Sequence, residues 1–289
     1  MRKLNIDFIG KSNYALAFSI LLSIISIILL FYKGLNLSID FNGGTVINFY
    51  THETNVESEL KTLLIDRYGD FEVQKIHSDA PVDHTYVLRL GNTTSDSVDL
   101  IISKLKSNIQ DIEIIKIDYI GPKVGAEFTV NAFKAITLSL IAMMLYVWWR
   151  FNFKFGIGVI LALLHDVLIT LGFFSATWYQ FDLTSIAVIL TVVGYSINDS
   201  IVIYDRIREN ILVQPRMRLH KLINQSINET LSRTIMTSFT TIIVCLALLF
   251  FGGEALHSFS AGLSFGIAFG TYSSIYISAP VLLLFKHQK

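Results

Sequence analysis

Six long apolar runs punctuate this chain, approximately Tyr14 to Tyr32, Phe128 to Trp149, Phe155 to Trp178, Leu183 to Tyr204, Ile235 to Phe251 and Phe259 to Phe285. Each approaches or exceeds the roughly 17 to 25 apolar residues that cross about 30 Å of hydrocarbon, so each is expected to be a transmembrane helix. The first run has no charge and reaches Tyr32 and Lys33 without a small-residue cleavage site. It is expected to be a retained anchor, not a removable signal peptide.

A different pattern fills the 95 residues from Lys33 to Glu127. Short β-branched or alternating runs occur at TVINFY (45–50), FEVQKI (71–76), TYVLRL (85–90) and IEIIKIDYI (112–120), and helical spacing occurs at ESELKTLLIDRYG (57–69) and SVDLIISKLKSN (97–108). In the helical runs Leu60, Leu63 and Leu64, then Val98, Ile101, Ile102 and Leu105, fall on one face. The order βαββαβ predicts a ferredoxin-like split sandwich. The expected fold class is therefore an α-helical membrane protein with six transmembrane helices and one extracytoplasmic α+β (ferredoxin-like βαββαβ) domain. Its expected divisions are a cytoplasmic N-terminus (1–13), a first span (14–32), the outer domain (33–127), five further spans within 128–285 and a cytoplasmic C-terminus (286–289).

Composition agrees with a bilayer setting, since 52% of residues are hydrophobic and only 16% are charged. Lys and Arg orient the spans. Arg2, Lys3 and Lys11, then Arg150 and Lys154, then Arg206, Arg208, Arg216, Arg218, Lys221 and Arg233, then Lys286 and Lys289 all fall on one side. The opposite short connections, YQFD (179–182) and GGEALHS (252–258), contain neither residue. Both termini are expected in the cytoplasm. This topology accounts for the basic fourth-to-fifth connection, so no nucleic-acid partner is expected. The outer segment is acidic, with nine Lys/Arg against fifteen Asp/Glu. The single cysteine, Cys245, excludes a disulfide within the chain.

An ionisable side chain at a helix centre costs roughly 2.5 to 3.5 kcal/mol on insertion scales, and such residues mark substrate or ion pathways. Asp199 is the main candidate, seven residues before Arg206 and hence about 10 Å along the helix from that boundary. Arg233, just before the fifth span, is a plausible partner at similar depth; a proton-responsive pair and a static ion pair joining two helices are both open readings. His165 and Asp166 lie near the middle of the third span as lesser relay candidates. Adjacent positions point about 100° apart, so they are not expected to form a dyad without other helices. Asp40, Gly43 and Gly44 in SIDFNGG (38–44), and Gly121, Pro122 and Gly125 in IGPKVGAEF (120–128), are junction or hinge candidates. Gly262, Gly266, Gly270, Ser274 and Ser278 form a four-residue stripe for close helix packing, and Pro280 is expected to kink the last span. No metal site is expected. H-E-x-x-H, G-x-S-x-G and phosphate-loop motifs are absent, so no enzyme is expected.

Several motifs in order carry a resemblance: SIDFNGG, GPKVG, LLHDVLITLGFFS (163–175), GYSINDSIVIYDRIREN (194–210), NETLSRTIMTS (228–238) and FGIAFGTYSSIYISAP (265–280). With six spans around them, the chain resembles the SecD/SecF family of protein-export membrane proteins, within the resistance-nodulation-division superfamily. The first motif departs from the usual GIDFTGG at Ser38 and Asn42. The resemblance implies the smaller half of a twelve-span transporter, paired with a SecD homologue in the bacterial cytoplasmic (inner) membrane. It implies as further partners the Sec translocon (SecY-SecE-SecG), accessory subunits such as YajC, and exported preproteins. Protons would be the coupling ion, with no other cofactor. Asp199 would match the family's proton-carrying aspartate and Arg233 its associated arginine. Two alternatives stay open: a non-conducting membrane scaffold of the translocase, and a half-unit of a proton-driven exporter of another substrate.

Overall fold

The structure, a computed structural model, describes residues 6–53, 56, 60, 71–76, 84–91, 95–109 and 111–285. The expected helix at 57–69 therefore lies outside the described residues except for Leu60, as do Arg2, Lys3, Lys286 and Lys289. The chain divides into two compact units, residues 37–133 and the remainder, with the division falling inside one long helix.

In the larger unit, α1 (Ser12–Tyr32), α4 (Pro122–Arg150), α5 (Phe153–Thr177), α6 (Leu183–Val213) and α7 (Leu219–Phe251) precede α8 (Glu254–Ser273). The last span continues beyond α8 through a π-helical turn (Ser274–Ser278) to Leu284. Among the described residues, six helices are thus long and apolar enough to cross a membrane. Burial of their apolar stretches separates them into two classes. In α5, α6 and the last span 61%, 50% and 56% of that stretch is buried, against 11%, 6% and 17% in α1, α4 and α7. The first three make the centre of the bundle, where Val159, Leu163, Val193, Ile197, Tyr204 and Ile275 pack together.

Local chemistry fixes the helix ends. Asp182 caps α6, its carboxylate accepting from Ser185 N at 2.9 Å while Ser185 Oγ accepts from Asp182 N at 3.2 Å. This capping box satisfies donors that the first turn would leave open. In the last span Pro280 has no N–H to donate and crowds the preceding turn. The backbone widens before it, and Ala279 N bonds back to Ser274 O, five residues earlier. Where a kink was expected, the structure has this π-turn.

Two helices extend far beyond their apolar runs. The fourth-to-fifth connection, expected from Tyr204 to Ile235, contains only residues 214–218 outside helix. Charged positions mark where a helix leaves hydrocarbon, whereas its backbone hydrogen bonds continue into polar surroundings. There Arg150 pairs with Asp205 at 3.1 Å, and Arg206 joins Glu209 at 2.7 Å and Glu229 at 2.6 Å.

The smaller unit holds α2 (Ile39–Asn42), β1 (Gly44–Thr51), β2 (Phe71–Ile76), β3 (His84–Leu90), α3 (Ser95–Asn108) and β4 (Glu113–Ile120). Among the described residues its four strands form an antiparallel sheet in the order β2-β3-β1-β4. Register places Ile47 opposite Leu88 and Phe49 opposite Tyr86, and the last two rings stack at 5.7 Å. Alternate β1 residues are buried, as strand geometry requires for one covered face. Ile101 and Leu105 of α3 complete that core with Leu60, Leu88 and Leu90.

Candidate functional site

The polar chemistry of the bundle collects where α5, α6 and α8 meet. Asp166 on α5 is fully buried. Its Oδ2 accepts from Ser196 of α6 at 2.6 Å and from Ser273 of α8 at 2.7 Å, and its Oδ1 lies 3.0 Å from His165 Nδ1. The two neighbours therefore do touch, correcting the expectation from their angular separation. Rotation about the side-chain bonds lets the imidazole swing over the helix surface towards the adjacent carboxylate. The other helices contribute hydroxyls to the second carboxylate oxygen.

Asp199 occupies the next turn of α6 after Ser196 and is 3% exposed. Its Oδ2 accepts from Thr271 of α8 at 3.2 Å, and Thr271 is joined at 2.6 Å to Ser238 of α7. Three helices thus converge on this second carboxylate. Arg233 does not complete the expected ion pair. It is exposed and forms no salt bridge among the described residues, although it is near enough to act on Asp199 electrostatically. Similar depth on two helices does not fix facing. Thr234 and Ser238 turn into the bundle from α7, whereas Arg233 turns outward.

The glycine stripe brings these groups together. A Cβ at Gly262 would overlap the Phe174 ring, and one at Gly266 would overlap Val192. At Gly270 the added atom would lie 3.3 Å from Ser196 Cβ. Short side chains along α8 therefore let α6 approach until Ser196 and Ser273 share one carboxylate oxygen. Further along, Ser278 Oγ donates to Tyr204 Oη at 2.7 Å, and Tyr204 Oη donates to Ser278 O at 3.0 Å.

The junction candidates cluster in the smaller unit. Ser38 caps the short α2, donating to Asp40 Oδ2 at 3.0 Å and accepting from Asp40 N at 3.2 Å. Gly43 has φ +72° beside the Pro122 backbone, Gly44 has φ +130° against Leu90 O, and Gly125 leaves no room for a Cβ beside Phe41 O. Pro122 opens α4, and Gly121 has only ordinary space around it. Gly43, Gly44 and Gly125 permit a close backbone clasp.

Sequence reading identified both buried aspartates but overlooked Ser196, Ser238, Thr271, Ser273 and Tyr204. A signal was present in YSINDS, where Ser196 precedes Asp199 by three residues and shares its inward face.

Among the described residues, six helices long and apolar enough to cross a membrane, packed around buried carboxylates, define a polytopic membrane protein. The profile of the SecD/SecF C-terminal family of protein export membrane proteins matches residues 101–288. The chain belongs to this family. It is 42% identical to the protein translocase subunit SecF of Rickettsia bellii over 99% of this chain and 95% of that protein. Against the Rickettsia typhi protein of the same name it is 41% identical over 99% of this chain and 94% of that one. A crystal structure of SecDF, a translocon-associated membrane protein from Thermus thermophilus, matches at TM-score 0.87 and 35% identity, covering 99% of this chain. SecDF in a super-membrane-facing form matches with TM-score 0.74 and the same identity. This chain spans 39% of each SecDF chain.

Proposed function

We propose that this chain is the smaller subunit of a SecD–SecF pair that assists Sec-dependent export of preproteins, with proton movement through the bundle coupled to rearrangement of an outer domain. The observation that carries this reading is Asp199, a nearly sealed carboxylate at the meeting of three spans, with hydroxyl partners and Arg233 only at longer range. An ionised carboxylate in hydrocarbon is costly, and uptake of a proton removes its charge. Each proton moving inward releases about 2.3 kcal/mol per 100 mV, sufficient to bias a two-state arrangement.

The partner follows from incompleteness. Spans α4 and α7 bury little of their surface, leaving apolar side chains such as Phe133, Trp149 and Phe250 exposed. A homologous SecD half would cover part of that surface, and lipid the rest. The Sec translocon, with SecY, SecE, SecG and YajC, would supply the emerging preprotein. The chain would reside in the bacterial cytoplasmic membrane with both termini inside. No covalent catalysis is assigned to it. The sheet order β2-β3-β1-β4 supports a ferredoxin-like outer domain.

The test is preprotein export in membranes containing the SecD homologue, with and without a proton gradient, comparing native chain and Asp199→Asn at equal complex levels. Loss of gradient-stimulated export in the intact complex is expected. Undiminished stimulation would instead favour a static scaffold, a reading for which the Thr271–Ser238 linkage supplies a structural basis.

A further inference from the structure

The proton-coupled reading leaves one buried constellation without a role. Asp166 and His165 sit side by side within α5, and neither meets a Lys or Arg side chain among the described residues. The surrounding helices supply little else that is charged. α1 contains no Asp, Glu, Lys, Arg or His; α6 brings Asp199 one turn from Ser196. The last span contributes Tyr272 and Tyr276 near this level, with Glu254 and His257 confined to its first turn. Among the described residues His165 is therefore the group placed to balance an ionised Asp166.

We propose that His165 and Asp166 form a second proton-holding site of the bundle, loading one proton at His165 Nε2. The donors around Asp166 define the unloaded state. Ser196 and Ser273 hydroxyls fill Oδ2, and His165 Nδ1 lies 3.0 Å from Oδ1; with Asp166 ionised in this state, the proton of that contact belongs to Nδ1. That tautomer leaves Nε2 with a lone pair. This atom is buried and has no hydrogen-bond partner among the described residues. In loading, a proton delivered from water forms one N–H bond at Nε2, and the pair passes from net charge −1 to zero as carboxylate beside imidazolium. On release the same bond breaks and the proton returns to water. Nothing is oxidised or reduced.

This site rests on the proton-coupled reading and extends it. Ser196 precedes Asp199 by one turn, about 4.5 Å along α6, and Ser273 follows Thr271 by two residues in α8. Helix α8 therefore ligates both carboxylates, while α6 ligates Asp166 through Ser196 and itself carries Asp199. Loading either centre changes the field at the other and the hydrogen bonds that hold α6 against α8. Ser196 and Ser273 are positioning residues in this scheme, since they fix the carboxylate that orients the imidazole.

The experiment is ¹⁵N imidazole NMR on the intact complex with the SecD homologue in lipid bilayers. The His165 signal is assigned among seven histidines by its disappearance in His165→Gln. As the proton concentration is raised, His165 is expected to pass from a neutral Nδ1–H imidazole to an imidazolium. Asp166→Asn should displace this change, whereas Asp199→Asn should leave it present. A His165 signal fixed in one protonation state throughout would overturn the proposal without requiring any variant to fold. An unchanged transition in a folded Asp166→Asn complex would also overturn it. If Asp199→Asn abolishes gradient-stimulated export while His165 never changes state, only the second site fails. If His165 changes state as expected while Asp199→Asn exports normally, the second site survives and the assignment of Asp199 fails.

Discussion

Thr271 donates to Asp199 Oδ2 at 3.2 Å across the α6–α8 interface and shares a 2.6 Å hydrogen bond with Ser238 of α7. One hydroxyl thereby ties the buried carboxylate to two further spans. Its replacement tests whether Asp199 must be held as well as present. Thr271→Val keeps the branched shape and removes the hydroxyl. A hydrogen bond to a charged group contributes about 1.5 to 3 kcal/mol. Gradient-stimulated export is expected to fall several-fold, less than in Asp199→Asn, with the assembled complex retained. Export kinetics and complex recovery measured together check this outcome.

The stripe on α8 yields a stability contrast. Gly266→Ala places a methyl against Val192, whereas a Cβ at Gly194 of α6 meets nothing within 4 Å. Overpacking costs typically about 1 to 3 kcal/mol, while replacing a helical Gly by Ala in open space gains up to about 1 kcal/mol. Thermal unfolding in detergent should therefore show a lowered midpoint for Gly266→Ala and an unchanged or raised one for Gly194→Ala. Equal midpoints would show that α8 does not depend on this close approach.

The apolar runs made the six spans legible, and alternation made β1 to β4 legible to within about two residues, because both signals arise from local periodicity. The junction glycines were also visible as backbone punctuation. Side-chain partnership was less accessible. Arg233 and Asp199 share a depth, but depth gives no azimuth, and Arg233 faces outward. His165 and Asp166 diverge at Cα, yet their side chains converge at 3.0 Å. Ser273 was hidden because a hydroxyl in an apolar run looks the same on a lipid face as on a buried one, whereas Ser196 carried a signal in its spacing from Asp199. Hydropathy also gave no sign that the helix runs on where charge replaces apolar residues, as between Tyr204 and Val213.

The clasp in the smaller unit predicts a local lesion. Gly125 lies where an added Cβ would be 2.8 Å from Phe41 O and 3.0 Å from Gly43 N, both backbone atoms. Neither can move without displacing the start of β1. Gly125→Ala should destabilise this unit by about 1 to 3 kcal/mol, seen as faster amide hydrogen exchange in β1 and β4. Exchange in α5 and α6, which belong to the other unit, should remain native. Native protection in β1 and β4 would count against the clasp.

Tyr204 and Ser278 allow a finer division of hydrogen-bond energy. In a continuous α-helix Ser278 O would accept from Leu282 N, but after Pro280 that N–H turns to Ala279 O. The Tyr204 hydroxyl takes its place at 3.0 Å and in turn accepts from Ser278 Oγ. Tyr204→Phe therefore strands a buried carbonyl and the Ser278 hydroxyl, with an expected cost of about 1 to 3 kcal/mol. Ser278→Ala leaves the tyrosine donating to the same carbonyl and removes only its second contact. A cost nearer about 1 kcal/mol is expected there. Thermal unfolding of both variants should rank Tyr204→Phe as the less stable; the reverse order would show that the carbonyl finds another donor and that tyrosine is not what completes the π-turn.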